Sequence, residues 1–240
     1  MRVVAGTARG IRLQPPSTNE TRPISDRAKE ALFNILSPKI RGQQFLDLFA
    51  GTGGVGIEAL SRGARGATFV EQSMKIAEDL RDNLHRTRLV ERAVVRQMDV
   101  FAFLREAPTP FGVIFVAPPQ WVNLWPAVLK ILDLEPKWLD EVGVIVVQHD
   151  PAEYEVLALK NLVECDQRRY GGVQLVFYKP RSGATSPCRG DAPAAVLPVG
   201  RAAEDHLSRG ARPFVGSELA ELPILDRLGI EPLSAPGRAS

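Results

Sequence analysis

Three acids stand at or near the ends of three apolar runs: Asp47 within FLDLF, Glu71 closing ATFVE, and Asp99 after VVRQM. The first run breaks into a loop carrying Gly51, Gly53, Gly54 and Gly56. A buried strand, a tight glycine turn and a helix start form the junction at which open α/β sheets bind ligands, outside the carboxyl ends of their strands. Glycine suits that turn because the backbone bends sharply and lies close to whatever is bound. The spacing Gly51-x-Gly53-x-x-Gly56, with Glu71 ending the next strand, fits the dinucleotide fingerprint. A ligand-free tight turn, with Asp99 merely capping the helix behind it, is the plain alternative.

The acids discriminate between two ligand classes. In a dinucleotide site, helix-start amides hold a pyrophosphate, and a carboxylate ahead of the glycines is electrostatically unfavourable there. Asp47 occupies that place and suits the cationic methionine portion of S-adenosylmethionine. Glu71 can accept both hydroxyls of a ribose. Asp99 can accept from an adenine amino group, with Val100 beside the ring. His85, His149 and His206 show no ligand spacing, and Cys165 and Cys188 are too few and too far apart for a zinc site or a disulfide framework, so no metal and a reduced compartment are expected. His149-Asp150 reads as a polar strand end.

Alternating apolar segments position these residues. Strands are predicted at 44–48, 67–71, 93–97, 112–117 and 142–148, with helices at 55–62, 73–86, 100–106 and 121–132. That alternation implies a parallel sheet covered by helices on both faces. Leu162 to Arg169, Gly171-Gly172 and Val173 to Lys179 then read as an antiparallel hairpin. Ahead of the sheet, residues 1–14 read as a short β-hairpin, and Ile24 to Leu36 has helical spacing. Beyond Pro180 the composition turns to Arg, Gly, Ala, Pro and Ser, giving an expected flexible tail with a linker over 181–213 and a short helix over Ser217 to Leu228. The expected division is 1–40, a hairpin-and-helix extension; 41–180, the core; and 181–240, the tail.

At 240 residues and 45% hydrophobic content the chain can build a large core. Its net charge of +2 excludes a general polycation, so nucleic-acid binding requires local concentration of charge. Arg2, Arg9, Arg12, Arg22, Arg27 and Lys29 supply it against Glu20, Asp26 and Glu30, although a solvated charged face has the same composition. MRVVAGTARG lacks a signal-peptide core. Val142 to Val147 falls far short of the roughly 20 residues that span a bilayer. A soluble, cytoplasmic monomer without membrane partners is expected.

Thr21 to Leu36 (TRPISDRAKEALFNIL), Phe45 to Ala64 (FLDLFAGTGGVGIEALSRGA), Phe69 to Gln72 (FVEQ) and Val113 to Pro119 (VIFVAPP) resemble the RsmD family over about residues 1–180. These are bacterial methyltransferases that modify the exocyclic N2 of a guanine in small-subunit ribosomal RNA. The resemblance implies a Rossmann-like class I methyltransferase fold, a mostly parallel seven-stranded sheet ending in an antiparallel hairpin, with S-adenosylmethionine as cofactor, held by Asp47, Phe49, Gly51, Gly53, Glu71, Gln72, Asp99 and Val100. It further implies that the N-terminal hairpin and the Thr21-Arg22-Pro23 loop face ribosomal RNA, or the assembling small subunit, or the cofactor pocket. Arg9, Arg12, Thr21, Arg22 and Arg27 are the RNA-binding candidates.

The departure lies at the expected catalytic set. The family's Asp-Pro-Pro-Tyr is here Ala117-Pro118-Pro119-Gln120, followed by Trp121. In amino-methylating enzymes that acid and a backbone carbonyl accept from the amine while the aromatic ring stacks on the base. Losing one acceptor costs about 1–3 kcal/mol, roughly tenfold to a few hundredfold in rate if it falls on the transition state. Gln120 offers an amide oxygen, and Trp121 offers a stacking surface one residue later. Alternatively, Trp121 and Trp125 are core aromatics four residues apart on one helix face. The alternative functions are an RNA-binding relative that no longer turns over and a dinucleotide-dependent oxidoreductase.

Overall fold

The computed structural model describes residues 1–17 and 25–181. Thr21, Arg22, the linker beyond Arg181 and the helix expected over Ser217 to Leu228 lie outside the described residues. Seven strands form one sheet: β1 (Gln44–Asp47), β2 (Gly66–Glu71), β3 (Ala93–Gln97), β4 (Phe111–Val116), β5 (Leu139–His149), β6 (Leu162–Tyr170) and β7 (Val173–Pro180). Their order is β3-β2-β1-β4-β5-β7-β6. Pairing is parallel from β3 to β5, while β7 runs antiparallel to both β5 and β6. This is the Rossmann-like methyltransferase topology that the resemblance implies.

The five α-helices among the described residues are α1 (Asp26–Ile40), α2 (Gly56–Ser61), α3 (Met74–Thr87), α4 (Val100–Phe103) and α5 (Trp125–Leu134). Every residue of β4 is buried, as a strand covered on both faces requires. Alternate side chains divide the core. Phe45, Val113, Phe115 and Val144 join α1, α2 and α3 on one face, while Leu46, Ile114, Val116 and Ile145 join α5 and Trp138 on the other.

Several boundaries differ from expectation for physical reasons. Capped by Ser25, α1 passes the predicted end at Leu36 and carries Pro38, because Leu36 and Ile40 are both drawn into the core. The N-terminal hairpin centres on one antiparallel bridge, Arg2 to Arg12, with backbone amides of Val3, Gly10 and Leu13 donating across it to Ile11, Val3 and Met1. The amides that would extend that ladder are taken elsewhere: Val4 and Ala5 donate to Glu58, and Ala8 donates to Ser61. The fifth helix begins at Trp125, four residues later than expected. Trp121 and Asn123 adopt left-handed conformations, with φ of 66° and 52°, which break a right-handed helix. The two tryptophans therefore do not share a helix face: Trp125 is buried, whereas Trp121 is 70% exposed.

The strand predicted from 142 begins at Leu139, and the helix predicted over 100–106 contracts to α4. Among the described residues no helix is long and apolar enough to cross a membrane.

Candidate active site

Because β3, β2 and β1 are neighbours in the sheet, the expected cofactor acids fall along one stretch of its carboxyl edge. Asp47 ends β1, Glu71 ends β2, and Asp99 lies two residues beyond β3. Glu71 fastens the glycine loop to the sheet: its Oε2 accepts from the Gly51 amide at 3.0 Å and its Oε1 from the Ser73 amide at 2.8 Å. Asp99 does cap α4, its Oδ1 accepting from Phe101 and Ala102, and it remains exposed. Val100 beside it is buried, Phe49 is partly buried, and Gln72 is exposed with its carbonyl taking the Gln97 amide group.

Asp47 is only 1% exposed. Its Oδ2 accepts from the Gly56 amide at 3.2 Å, and its Oδ1 is buried without a hydrogen bond. Burial lifts the carboxyl from the ordinary carboxylate range to about 7. The Gly56 and Phe49 amides oppose that shift, and the Glu71 charge adds to it. The glycines divide by role. Gly51 takes a φ of 51° and has open space around it, so its freedom belongs to the turn. At Gly56 a side chain would collide with the Phe69 ring, so this glycine serves packing of α2 on the sheet.

The Ala117–Trp121 segment leaves the carboxyl end of β4, next to β1. Ala117, Pro118 and Gln120 are partly buried, and Pro119 is exposed. The Trp121 amide donates to Glu153 Oε1 at 2.7 Å, tying the segment to the short 3-10 turn Pro151–Glu153 after β5. The other oxygen of Glu153 accepts from the Asp150 amide at 3.1 Å, and Asp150 in turn accepts from Ala152. A depression of about 410 Å³ opens here, lined by Trp121, Asn123, Ala152, Glu153, Tyr154 and Glu155. Behind it His149 is stacked between Trp125 at 4.9 Å and Tyr154 at 5.9 Å. Its Nδ1 lies 2.7 Å from the Asp150 carbonyl, which can only accept, so Nδ1 carries hydrogen. His149 is thus an ordered core ring rather than part of an exposed acid–base pair.

Of the RNA candidates, Arg9, Arg12 and Arg27 are exposed. What orders their segment escaped the sequence reading. Glu58, fully buried on α2, accepts from Val4 at 2.7 Å and Ala5 at 2.9 Å, and pairs with Lys29 at 3.3 Å and Arg62 at 2.7 Å. Burial lowers the Lys29 pKa, and Glu58 opposes that shift. Asn83 on α3 accepts from the Gln14 amide at 2.7 Å and donates to the carbonyls of Gln14 and Thr52 at 3.2 and 3.1 Å. One buried amide therefore holds both the N-terminal segment and the glycine loop. The available signal was Lys29's place in the apolar stripe with Leu32, Phe33, Leu36 and Ile40; nothing local marked Asn83 or Glu153. Among the described residues no His, Cys, Asp and Glu group is arranged to hold a metal.

The family model described as Conserved hypothetical protein 95 matches residues 1–179. Ribosomal RNA small subunit methyltransferase D of Escherichia coli strain K12 is 36% identical over 150 residues, 62% of this chain and 75% of that protein. The solved structure of a hypothetical protein from Thermus thermophilus is 33% identical with a TM-score of 0.63, covering 75% of this chain and 99% of that one. An RNA methyltransferase from Salinibacter ruber, solved in complex with S-adenosyl-L-homocysteine, shares the fold at 15% identity, with a TM-score of 0.52 and coverage of 67% and 95%. With three quarters of its length matched by the family model, and with 36% identity to a ribosomal RNA small subunit methyltransferase D over 75% of that protein, this chain belongs to the RsmD family.

Proposed function

We propose that this chain transfers a methyl group from S-adenosylmethionine to the exocyclic N2 of a guanine in small-subunit ribosomal RNA. The observation that carries this reading is the buried Asp47, with one oxygen unpartnered, at the head of a row of three acids immediately beside the Pro118-Pro119 turn. An orphaned buried carboxylate oxygen favours a cationic ligand and disfavours a pyrophosphate. The relative named as a ribosomal RNA small subunit methyltransferase supports the substrate class.

When bound, the cofactor supplies an electrophilic methyl group on a sulfonium. The protein's part is to hold and align. Asp47 sets a negative field at the glycine loop and, through the Gly56 amide, shapes that loop. Glu71 would accept from the ribose hydroxyls, and Asp99 and Val100 would flank the adenine. The exposed Arg9, Arg12 and Arg27 neutralise RNA phosphates. On the other side, Pro118-Pro119 fixes the segment that receives the flipped base. The Pro118-Pro119 segment would hold the base amine so that its lone pair is free to accept the methyl group the cofactor supplies. The amine then releases one proton to water. Alignment supplies most of the acceleration in such a step.

Ala117 favours a second reading, an RNA-binding relative with little turnover. Labelled cofactor and undermethylated small subunits separate the two. Label is expected in the RNA, and A117D is expected to raise the rate about tenfold or more by restoring one acceptor. Cofactor binding without label in RNA, from either form, would overturn the enzyme reading.

A further inference from the structure

The cofactor assignment leaves the depression beside Trp121 without an occupant. The sheet order places Asp47, Glu71 and Asp99 on one side of Ala117 and this depression on the other, where β4 and β5 end. Its lining includes no lysine or arginine, so it is not built for a phosphate. Instead it combines an aromatic face with carboxylates. Trp121 is 70% exposed, whereas Trp125 and Trp138 are buried. Glu153 already accepts one backbone amide on each oxygen, which fixes its plane and leaves acceptor capacity on both. An open cavity of about 410 Å³ accommodates one nucleobase.

A carboxylate with both oxygens available selects a base with two adjacent N–H donors on one edge. Guanine alone among the four RNA bases has them, at N1 and N2. Adenine and cytosine place an acceptor beside their amino group, and uracil has one donor between two carbonyls. We propose that Glu153 is a specificity-determining residue: it accepts from N1–H and from one hydrogen of the N2 amine of a guanine stacked on Trp121. In doing so it supplies the acceptor that Ala117 lacks, from the neighbouring strand end. The biological ligand rests on the guanine reading above, but base selection can be measured without any methyl transfer.

The test is titration of the full chain, with S-adenosylhomocysteine present, by guanosine and by inosine, which keeps N1–H but lacks the N2 amine. Quenching of tryptophan fluorescence reads stacking on the exposed Trp121, and equilibrium dialysis of the labelled nucleosides gives affinity independently. Guanosine is expected to bind about tenfold more tightly than inosine, as one bond to a charged acceptor implies. E153Q, which keeps an acceptor for the Trp121 amide, is expected to erase that preference. W121A, at an exposed position, is expected to weaken both nucleosides and abolish saturable quenching.

Equal binding of guanosine and inosine by the unmodified chain, or a preference that survives in E153Q, would overturn the proposal. Guanosine preference through Glu153 with no methyl reaching RNA would sustain this site and remove the enzyme reading. RNA methylation with a preference indifferent to Glu153 would do the reverse.

Discussion

At Asp47 a carboxyl sealed from water titrates near pH 7, and a cationic ligand must find it ionised. Between the ordinary carboxylate pKa and about 7, the folded chain holds a proton that the unfolded chain has lost, so stability without ligand falls as pH rises through that window. Ligand binding runs the other way. A cation favours the ionised carboxylate, so binding expels the proton below pH 7 and strengthens as pH rises. Calorimetry with S-adenosylmethionine is expected to show affinity increasing about tenfold from pH 6 to pH 8, with D47N abolishing that dependence. A slope that persists in D47N would place the titrating group elsewhere.

At the level of elements, α2 anchors the N-terminal segment through one side chain. Glu58 takes two backbone amides from residues 54 and 53 positions away and pairs with Lys29 and Arg62, and neither Lys29 nor Glu58 is exposed. Removing one member of such a group strands the other charge in the interior, at a cost of about 3–5 kcal/mol. E58A is therefore expected to destabilise by about that amount in urea unfolding. Hydrogen exchange at Val4 and Ala5 is expected to accelerate more than exchange in β4. A uniform change across the molecule would show that Glu58 supports the core generally rather than the docking of this segment.

For the whole molecule, a net charge of +2 conceals an uneven distribution. Arg9, Arg12 and Arg27 are exposed, while the acids of the candidate cofactor site lie along the carboxyl edge of β1 to β3. If the arginines neutralise phosphates, each contact contributes about one to the slope of log affinity against log salt. The R9A/R12A double variant is expected to bind small-subunit RNA more weakly, with that slope reduced by about two, while its affinity for S-adenosylhomocysteine stays unchanged. An unaltered slope would move the RNA surface away from this segment.

What the sequence by itself determined was whatever depends on near neighbours. The apolar run of β4, the glycine turn after Asp47 and the closing hairpin at Gly171 follow from periodicity and local backbone preference. The row of acids was also legible, because parallel strands joined by helices bring successive carboxyl ends together. Only the tertiary structure decided that Trp121 faces solvent while Trp125 enters the core. It alone decided that Asp47 is sealed, that Glu58 and Asn83 hold a segment up to 69 residues away, and that Glu153 meets the Trp121 amide across 32 residues. Those outcomes depend on which surfaces meet when the layers pack. A short sequence window records the donors and acceptors available to the chain, but not which distant partner folding will place opposite each of them.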